Sequence, residues 1–225
     1  MRPSVAAALQ RGLARLSACF RRWFRRPTVP ARLAILAASL ALLAACSAPP
    51  DSPYTGTDLR GVSYGRSLDL EDTSGQPRSL GDFRGRYVLL SFGYTHCPEV
   101  CPTSLLKAAQ IKRALGEDGE RLQIVFVTVD PKRDTGEILA QYVGAFGGDI
   151  VALRGDDMQT RLAAQSFRVT YREVPTSSSY AMDHTMVNYL IGPDGHLRLA
   201  FQYDQPVPTM VDDIRRAMTP VQAAG

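Results

Sequence analysis

Residues 87–94, YVLLSFGY, are nearly all apolar, and this run constrains the fold more than any other feature of the chain. A strand of this kind is buried on both faces, as at the centre of a sheet that helices cover on both sides. Strand-like and helix-like segments alternate after it, and residues 192–195, GPDG, form a turn between two further strand-like segments. The sequence therefore predicts an α/β fold with a central mixed sheet, flanking helices and a C-terminal β-hairpin.

The individual elements follow from the same patterns. Strands are predicted at residues 67–70, 87–94, 122–129, 150–153, 186–191 and 196–203, and helices at residues 102–115, 134–146, 156–167 and 207–218.

Two cysteines follow the apolar strand. Cys97 and Cys101 each precede a proline, which disfavours helical backbone at the cysteine and predicts a loop. Pro102 suits the first turn of a helix, so Cys101 is predicted to be the N-cap, with its sulfur near the positive end of the helix dipole. A thiolate is favoured in that position. Metal binding and thiol–disulfide exchange both use a thiolate, so the pair alone is compatible with either chemistry.

The first 46 residues are predicted to be a lipoprotein signal peptide. Residues 1–32 contain eight arginines and no acidic residue, and residues 33–45 form an apolar run of signal-peptide length. Residues 43–47, LAACS, resemble the lipobox of bacterial lipoproteins, in which the cysteine becomes the lipid-bearing first residue. We expect membrane attachment at the periplasmic face of a bacterial cell envelope, through lipid on Cys46 or through an uncleaved anchor.

Removal of this leader changes the charge of the chain. Of 26 basic residues, 18 remain against 22 acidic ones, so the mature part has a net charge near −4. Such a body lacks the positive surface of a nucleic-acid-binding protein, and no nucleic-acid partner is expected. Residues 47–66, rich in Pro, Ser, Thr and Gly, are predicted to be a flexible tether, and residues 67–225 the folded domain.

Three separated motifs resemble one known family. They are GYTHCPEVCPTSL, FVTVDPKRDT around Asp130, and Asp183-His184-Thr185 ahead of the strand at residues 186–191. Together they are similar to the Sco/SenC family of copper chaperones for cytochrome c oxidase, over roughly residues 60–220. The resemblance implies a thioredoxin-like fold, although the C-x3-C spacing departs from the C-x-x-C of thioredoxin. It also implies that Cys97, Cys101 and His184 bind copper.

This ligand set suits copper chemically. Soft sulfur binds Cu(I), and imidazole with a water or carboxylate oxygen can complete the shell of Cu(II). A closed zinc site requires four protein ligands, and no third cysteine follows Cys46. We interpret His96 as a neighbour that tunes the site or packs beside it, and His196 as an exposed hairpin residue, while either remains open as a fourth ligand.

The nearby acidic residues and methionines have more ordinary interpretations. Asp130 is open as a weak ligand, as a hydrogen-bond acceptor beside the site, or as a helix cap. Asp134 is predicted to cap the following helix, with Glu137 three residues on. Met182 and Met186 flank His184 but are interpreted as core residues.

Two functions fit these features. The resemblance implies a metallochaperone that delivers copper to the dinuclear copper site of cytochrome c oxidase. Its expected partners are the copper-site subunit of the oxidase, a copper donor and a thiol reductant, because a disulfide cannot bind copper. The alternative is a thiol–disulfide oxidoreductase for exported proteins, in which Cys97, the more exposed cysteine, attacks and Cys101 resolves the mixed disulfide. His184 separates the two, because only the chaperone requires it.

Overall fold

Strands β4 (Tyr87–Gly93) and β5 (Leu122–Thr128) lie side by side and parallel, and every residue in both is buried. The computed structural model describes residues 52–147 and 149–219, and within them these strands form the centre of an eight-stranded sheet. Continuous apolar strands are stable in this position because helices cover both faces. The predicted central mixed sheet with flanking helices is confirmed.

The remaining elements complete two sheets and four helices among the described residues. The other strands of the large sheet are β1 (Thr57–Asp58), β2 (Leu70–Asp72), β3 (Pro77–Arg78), β6 (Ile150–Arg154), β9 (Val187–Ile191) and β10 (Leu197–Gln202). Their order is β1-β10-β9-β4-β5-β6-β2-β3. A separate two-stranded sheet contains β7 (Tyr171–Pro175) and β8 (Tyr180–His184). The helices are α1 (Val100–Leu115), α2 (Gly136–Gly144), α3 (Asp157–Ser166) and α4 (Val207–Met218).

The core has one part on each face of the large sheet. Successive side chains of a strand point to opposite faces. Leu90 and Phe92 of β4 therefore pack in a cluster with residues of α2 and α3, whereas Leu89 packs in a second cluster with α4 and the second half of α1. Because both faces of β4 are covered, the strand has no solvent-facing position for charged side chains.

The topology brings three distant segments to one edge of the sheet. Strands β4 and β5 are parallel, so the loops that follow them leave from the same edge. Strand β9 is antiparallel to β4, and Asn188 pairs with Ser91, so the segment that precedes β9 reaches this edge as well. Chemically active groups in open α/β sheets gather at such an edge.

The hairpin of β7 and β8 is absent from the sequence-based prediction. Its register pairs Tyr171 with His184 and Pro175 with Tyr180. The segment carries many polar residues and a proline, and most of its residues are exposed or half-buried, so its hydrophobic pattern is weak. The predicted C-terminal hairpin, in contrast, is present as β9 and β10.

The predicted tether is in part packed against the folded body. Strand β1 pairs with β10, and Leu59 is buried in the core. The buried carboxylate of Asp213 in α4 accepts hydrogen bonds from the backbone N–H groups of Thr55 and Gly56 and from the Thr55 hydroxyl, at 2.7–3.1 Å. A domain start at residue 67 is therefore too late, because the chain is bound to the body from about Thr55 onward.

The predicted leader, residues 1–46, and the first part of the tether, residues 47–51, lie outside the described residues. No helix among residues 52–147 and 149–219 is long and apolar enough to cross a membrane.

The contacts of Asp213 predict a large effect of its removal. Asp213→Ala leaves several hydrogen-bond donors of residues 55 and 56 without an acceptor. We expect the free energy of unfolding, measured by urea denaturation, to fall by about 2–3 kcal/mol. Asp212→Ala is the matched control, because Asp212 is exposed on the same helix. Equal unfolding midpoints for the two variants would show that the N-terminal segment is not bound through Asp213.

Candidate metal centre

Helix α1 starts at the thiol pair but not where the sequence predicts. Its first residue is Val100, preceded by Glu99 at the N-cap, so the prediction of Cys101 as the N-cap is wrong by two residues. The N–H groups in the first turn of a helix have no helical acceptor. That of Cys101 donates to the sulfur of Cys97, with an N–Sγ distance of 3.4 Å. The helix terminus therefore stabilises charge on Cys97 rather than on Cys101.

The two sulfurs differ in exposure and in acidity. Cys97 is half-buried, whereas Cys101 is only 3% exposed. The hydrogen bond from the Cys101 thiol lowers the pKa of Cys97 to about 4, and contacts with the His184 side chain and with the backbone of Cys101 and Glu99 add to this effect. The same sulfur–sulfur hydrogen bond, together with burial, raises the pKa of Cys101. Cys97 is therefore the thiolate of the pair at neutral pH.

Gly93, at the end of β4, leaves the space that the Cys101 sulfur uses. A Cβ atom added there would lie 2.8 Å from Cys101 Sγ and 2.7 Å from the Phe126 ring. Side chains do not approach so closely, so any larger residue would displace the sulfur. The backbone at this position is thus shaped around Cys101.

The imidazole of His184 lies against the thiol pair. His184 is the last residue of β8, and its Nε2 atom is 3.8 Å from Cys101 Sγ although 83 residues separate the two in sequence. Its Nδ1 atom is 3.0 Å from the carbonyl oxygen of Thr185, which places the ring proton on Nδ1 as donor. Nε2 is thus the ring nitrogen that faces the sulfur, and a metal-binding histidine likewise has its other ring nitrogen held by a hydrogen-bond acceptor such as a backbone carbonyl.

The separation of 3.8 Å suits two ligands of one ion. With the bond lengths usual at zinc, about 2.3 Å to sulfur and 2.0 Å to nitrogen, ligands at an angle of about 120° lie about 3.7 Å apart. Among residues 52–147 and 149–219, no three His, Cys, Asp or Glu side chains form a preassembled metal cage. Cys101 and His184 already have the required spacing, and Cys97, whose sulfur accepts a hydrogen bond from the Cys101 N–H group, is the third residue of the predicted set.

Asp134 orders the loop that carries Cys97. Its carboxylate is fully buried and accepts hydrogen bonds from the backbone N–H and the hydroxyl of Thr95 and from the hydroxyl of Thr128, at 2.5–3.1 Å. The predicted capping role of Asp134 is wrong, because the hydroxyl of Thr135 caps α2 by accepting from the N–H of Ile138. Asp134 thus joins the end of β5 to the cysteine loop through its side chain.

A second buried carboxylate fixes the strand that carries His184. One oxygen of Asp130 accepts from the Tyr180 hydroxyl at 2.9 Å and the other from Arg133 Nε at 2.5 Å. Arg133 also donates to the carbonyl oxygen of Tyr180 at 2.8 Å and lies 3.6 Å from the centre of its ring. Asp130, Arg133 and Tyr180 thus tie the start of β8 to the end of β5. The sequence singled out Asp130 but contained no signal for Tyr180.

The other candidate residues lie in different surroundings. His96 is half exposed, and its Nδ1 atom is 3.1 Å from the Thr95 hydroxyl. His196 follows the turn between β9 and β10, which contacts Gly85 at the start of β4 and so lies at the opposite edge of the sheet. Met182 is buried in the core as predicted, whereas Met186 is 47% exposed, so the interpretation of Met186 as a core residue is wrong.

The fold and the site together define a thioredoxin-like protein in which a thiol pair and an imidazole meet at one edge of the sheet. Residues 57–219 match the family model described as SCO1/SenC, and the chain belongs to this family, as its motifs predict.

Three known proteins illustrate the similarity. The mitochondrial SCO2 homolog of Mus musculus is 37% identical over 163 residues, which cover 70% of this chain and 64% of the mouse protein. The structure of Bradyrhizobium japonicum ScoI with copper bound is 34% identical, has a TM-score of 0.63 and covers 68% of this chain and 99% of that chain. BsSco, described as a member of the Sco family of cytochrome c oxidase assembly proteins, is 18% identical with a TM-score of 0.56 over 75% of this chain and 98% of that chain, and supports the fold alone.

The matched region is only part of the mitochondrial relatives. The chain spans 64% of the mouse and 62% of the human SCO2 homolog.

The unequal acidity of the two thiols predicts unequal alkylation. We expect iodoacetamide to modify Cys97 at a nearly constant rate from pH 8 down to about pH 5 and to slow near pH 4, where the thiolate is protonated. Cys101→Ala removes the hydrogen-bond donor and should move this fall in rate to higher pH. Peptide mass spectrometry after timed quenching identifies the modified cysteine. A Cys97 rate that rises through pH 8–9, as for an ordinary thiol, would contradict the assignment.

Proposed function

We propose that this protein is a membrane-attached copper chaperone that binds copper through Cys97, Cys101 and His184 and delivers it to the dinuclear copper site of cytochrome c oxidase. The observation that supports the proposal most directly is the 3.8 Å distance between His184 Nε2 and Cys101 Sγ. Thiol–disulfide exchange requires only the two sulfurs, whereas a copper site of three protein ligands also requires the imidazole.

The ligand chemistry supports copper as the cargo. Two thiolates and one neutral imidazole are soft to intermediate donors, which suit Cu(I) and also bind Cu(II). Three protein ligands leave the ion short of the four that a closed zinc site uses. Cys97 is half-buried, so one side of the site remains accessible to a partner. A chaperone requires such a site because its ion has to leave.

The family comparison supports the same cargo. The Bradyrhizobium japonicum relative has been solved with copper bound. Copper binding requires both sulfurs in the reduced state, because a disulfide has no thiolate to donate. The proposal therefore includes a copper donor, a thiol reductant and the copper-site subunit of the oxidase as partners.

Attachment to the membrane is the part of the proposal that rests on sequence alone. The apolar run and the LAACS motif at residues 43–47 support a periplasmic lipoprotein with lipid on Cys46.

Thiol–disulfide exchange is the second candidate function, and the asymmetry of the thiols favours it. The Cys97 thiolate attacks a partner disulfide, which forms a mixed disulfide and releases one partner thiolate. Cys101 then loses its proton and attacks the Cys97 sulfur, which forms the Cys97–Cys101 disulfide, releases the second thiolate and leaves the partner reduced. The buried, less acidic Cys101 fits the resolving role.

Copper titration of the reduced protein tests the proposal. The wild-type protein should bind about one equivalent of copper in competition with a Cu(I) chelator. Since His184→Ala removes a direct ligand, its affinity should fall by more than the roughly 10–100-fold that loss of an outer-shell partner costs. His196→Ala is the matched control, because His196 lies at the opposite edge of the sheet, and it should bind as the wild type does.

The rate at which the same variants react with a disulfide reagent distinguishes the two candidate functions. His184→Ala should retain the dithiol reaction while it loses tight copper binding. If His184→Ala and His196→Ala bind copper equally well, the imidazole is not a ligand and the oxidoreductase becomes the better account.

A further inference from the structure

Met186 lies beside the candidate metal centre but outside its predicted ligand set. It stands between the last residue of β8, His184, and the first residue of β9, Val187. Its side chain lines a small cavity together with Cys101 and His184, and the volume of this cavity, about 10 Å³, is close to the minimum that holds one water-sized particle. Met186 therefore borders an ion-sized space together with two of the three candidate ligands.

Packing in the core does not explain why a methionine occupies position 186. Met182, on the preceding strand, is 7% exposed and packs in the core, whereas Met186 is 47% exposed. Isolated exposed apolar residues are ordinary on protein surfaces. The distinguishing feature of Met186 is its position, since this exposed residue lines a cavity together with a candidate sulfur ligand and a candidate nitrogen ligand.

The chemistry of a thioether suits this position. Thioether sulfur is a soft ligand that selects Cu(I), and at Cu(II) centres it binds weakly and at long range. It is uncharged, so it adds a bond to a site with two thiolates without adding negative charge. Three rotatable bonds let the side chain move onto the ion or away from it.

We propose that the Met186 thioether is an additional, exchangeable ligand of copper in this protein. The inference rests on the proposed copper-binding function and goes beyond it by assigning a third sulfur to the site. Met186 contacts Cu(I) in the loaded protein and stabilises Cu(I) more than Cu(II). Because Met186 is more exposed than Cys97, Cys101 and His184, it is the first protein ligand that an incoming partner ligand displaces.

X-ray absorption at the copper edge tests this assignment directly. Selenomethionine-labelled protein is reduced and loaded with one equivalent of Cu(I), and selenium scattering at bonding distance from copper is measured. The same measurement is made on Met186→Leu and on Met158→Leu. Met158 is the matched control because it is also exposed, at 57%, but lies on α3 and outside the cavity. Leucine approximately conserves the volume of methionine.

We expect selenium scattering in the wild type and in Met158→Leu and none in Met186→Leu. The Cu(I) affinity of Met186→Leu should fall by about tenfold, less than that of His184→Ala because an exchangeable thioether binds more weakly than the permanent ligands, with a smaller fall for Cu(II). Copper bound without selenium scattering in the wild type would overturn the assignment and leave the proposed function intact. Failure of the reduced wild type to bind copper would overturn both.

Discussion

The contact between the His184 imidazole and the Cys101 sulfur is the interaction on which the candidate site depends. The two residues are 83 positions apart, and their approach to 3.8 Å follows from the antiparallel pairing of β9 with β4. This pairing brings the segment before β9 to the edge at which β4 ends. A central strand buried on both faces makes the pairing stable, because its apolar side chains pack in the core on both sides of the sheet.

Two buried carboxylates connect the end of β5 to the two segments that carry the site residues. Asp134 fixes the loop that carries Cys97, and Asp130 fixes the strand that carries His184, through Arg133 and Tyr180. Both follow β5, so a single strand end positions both halves of the site. This arrangement is needed because β7 and β8 form a separate sheet, whose pairing alone does not set its distance from the cysteines.

The site combines features that serve two chemistries. The N-terminus of α1 and the Cys101 thiol make Cys97 acidic, which favours both metal binding and attack on a disulfide. The imidazole is the feature that distinguishes them. In the proposed function the redox state of the pair then controls copper binding, because oxidation removes the two thiolates while His184 alone cannot retain the ion.

The sequence predicts the parts of this account that have a local signal. The apolar run at residues 87–94 predicts the central strand, and the motifs around Cys97, Asp130 and His184 indicate the family. The hairpin of β7 and β8, the roles of Asp134 and Tyr180 and the packing of residues 55–59 are not predicted. Each depends on a partner distant in sequence, such as Asp213 for Thr55, and no local pattern encodes such a contact. The interpretation of Met186 as a core residue is wrong because methionine spacing alone does not distinguish a core residue from an exposed one.

Nuclear magnetic resonance of the reduced, metal-free protein provides the most direct test of the central contact. The structure predicts nuclear Overhauser effects between the His184 ring protons and the Cys101 methylene protons, and nitrogen-15 shifts of a ring that carries a proton on Nδ1. Absence of these effects, together with shifts of a ring protonated at Nε2, would show that the imidazole does not face the sulfurs and would contradict the account.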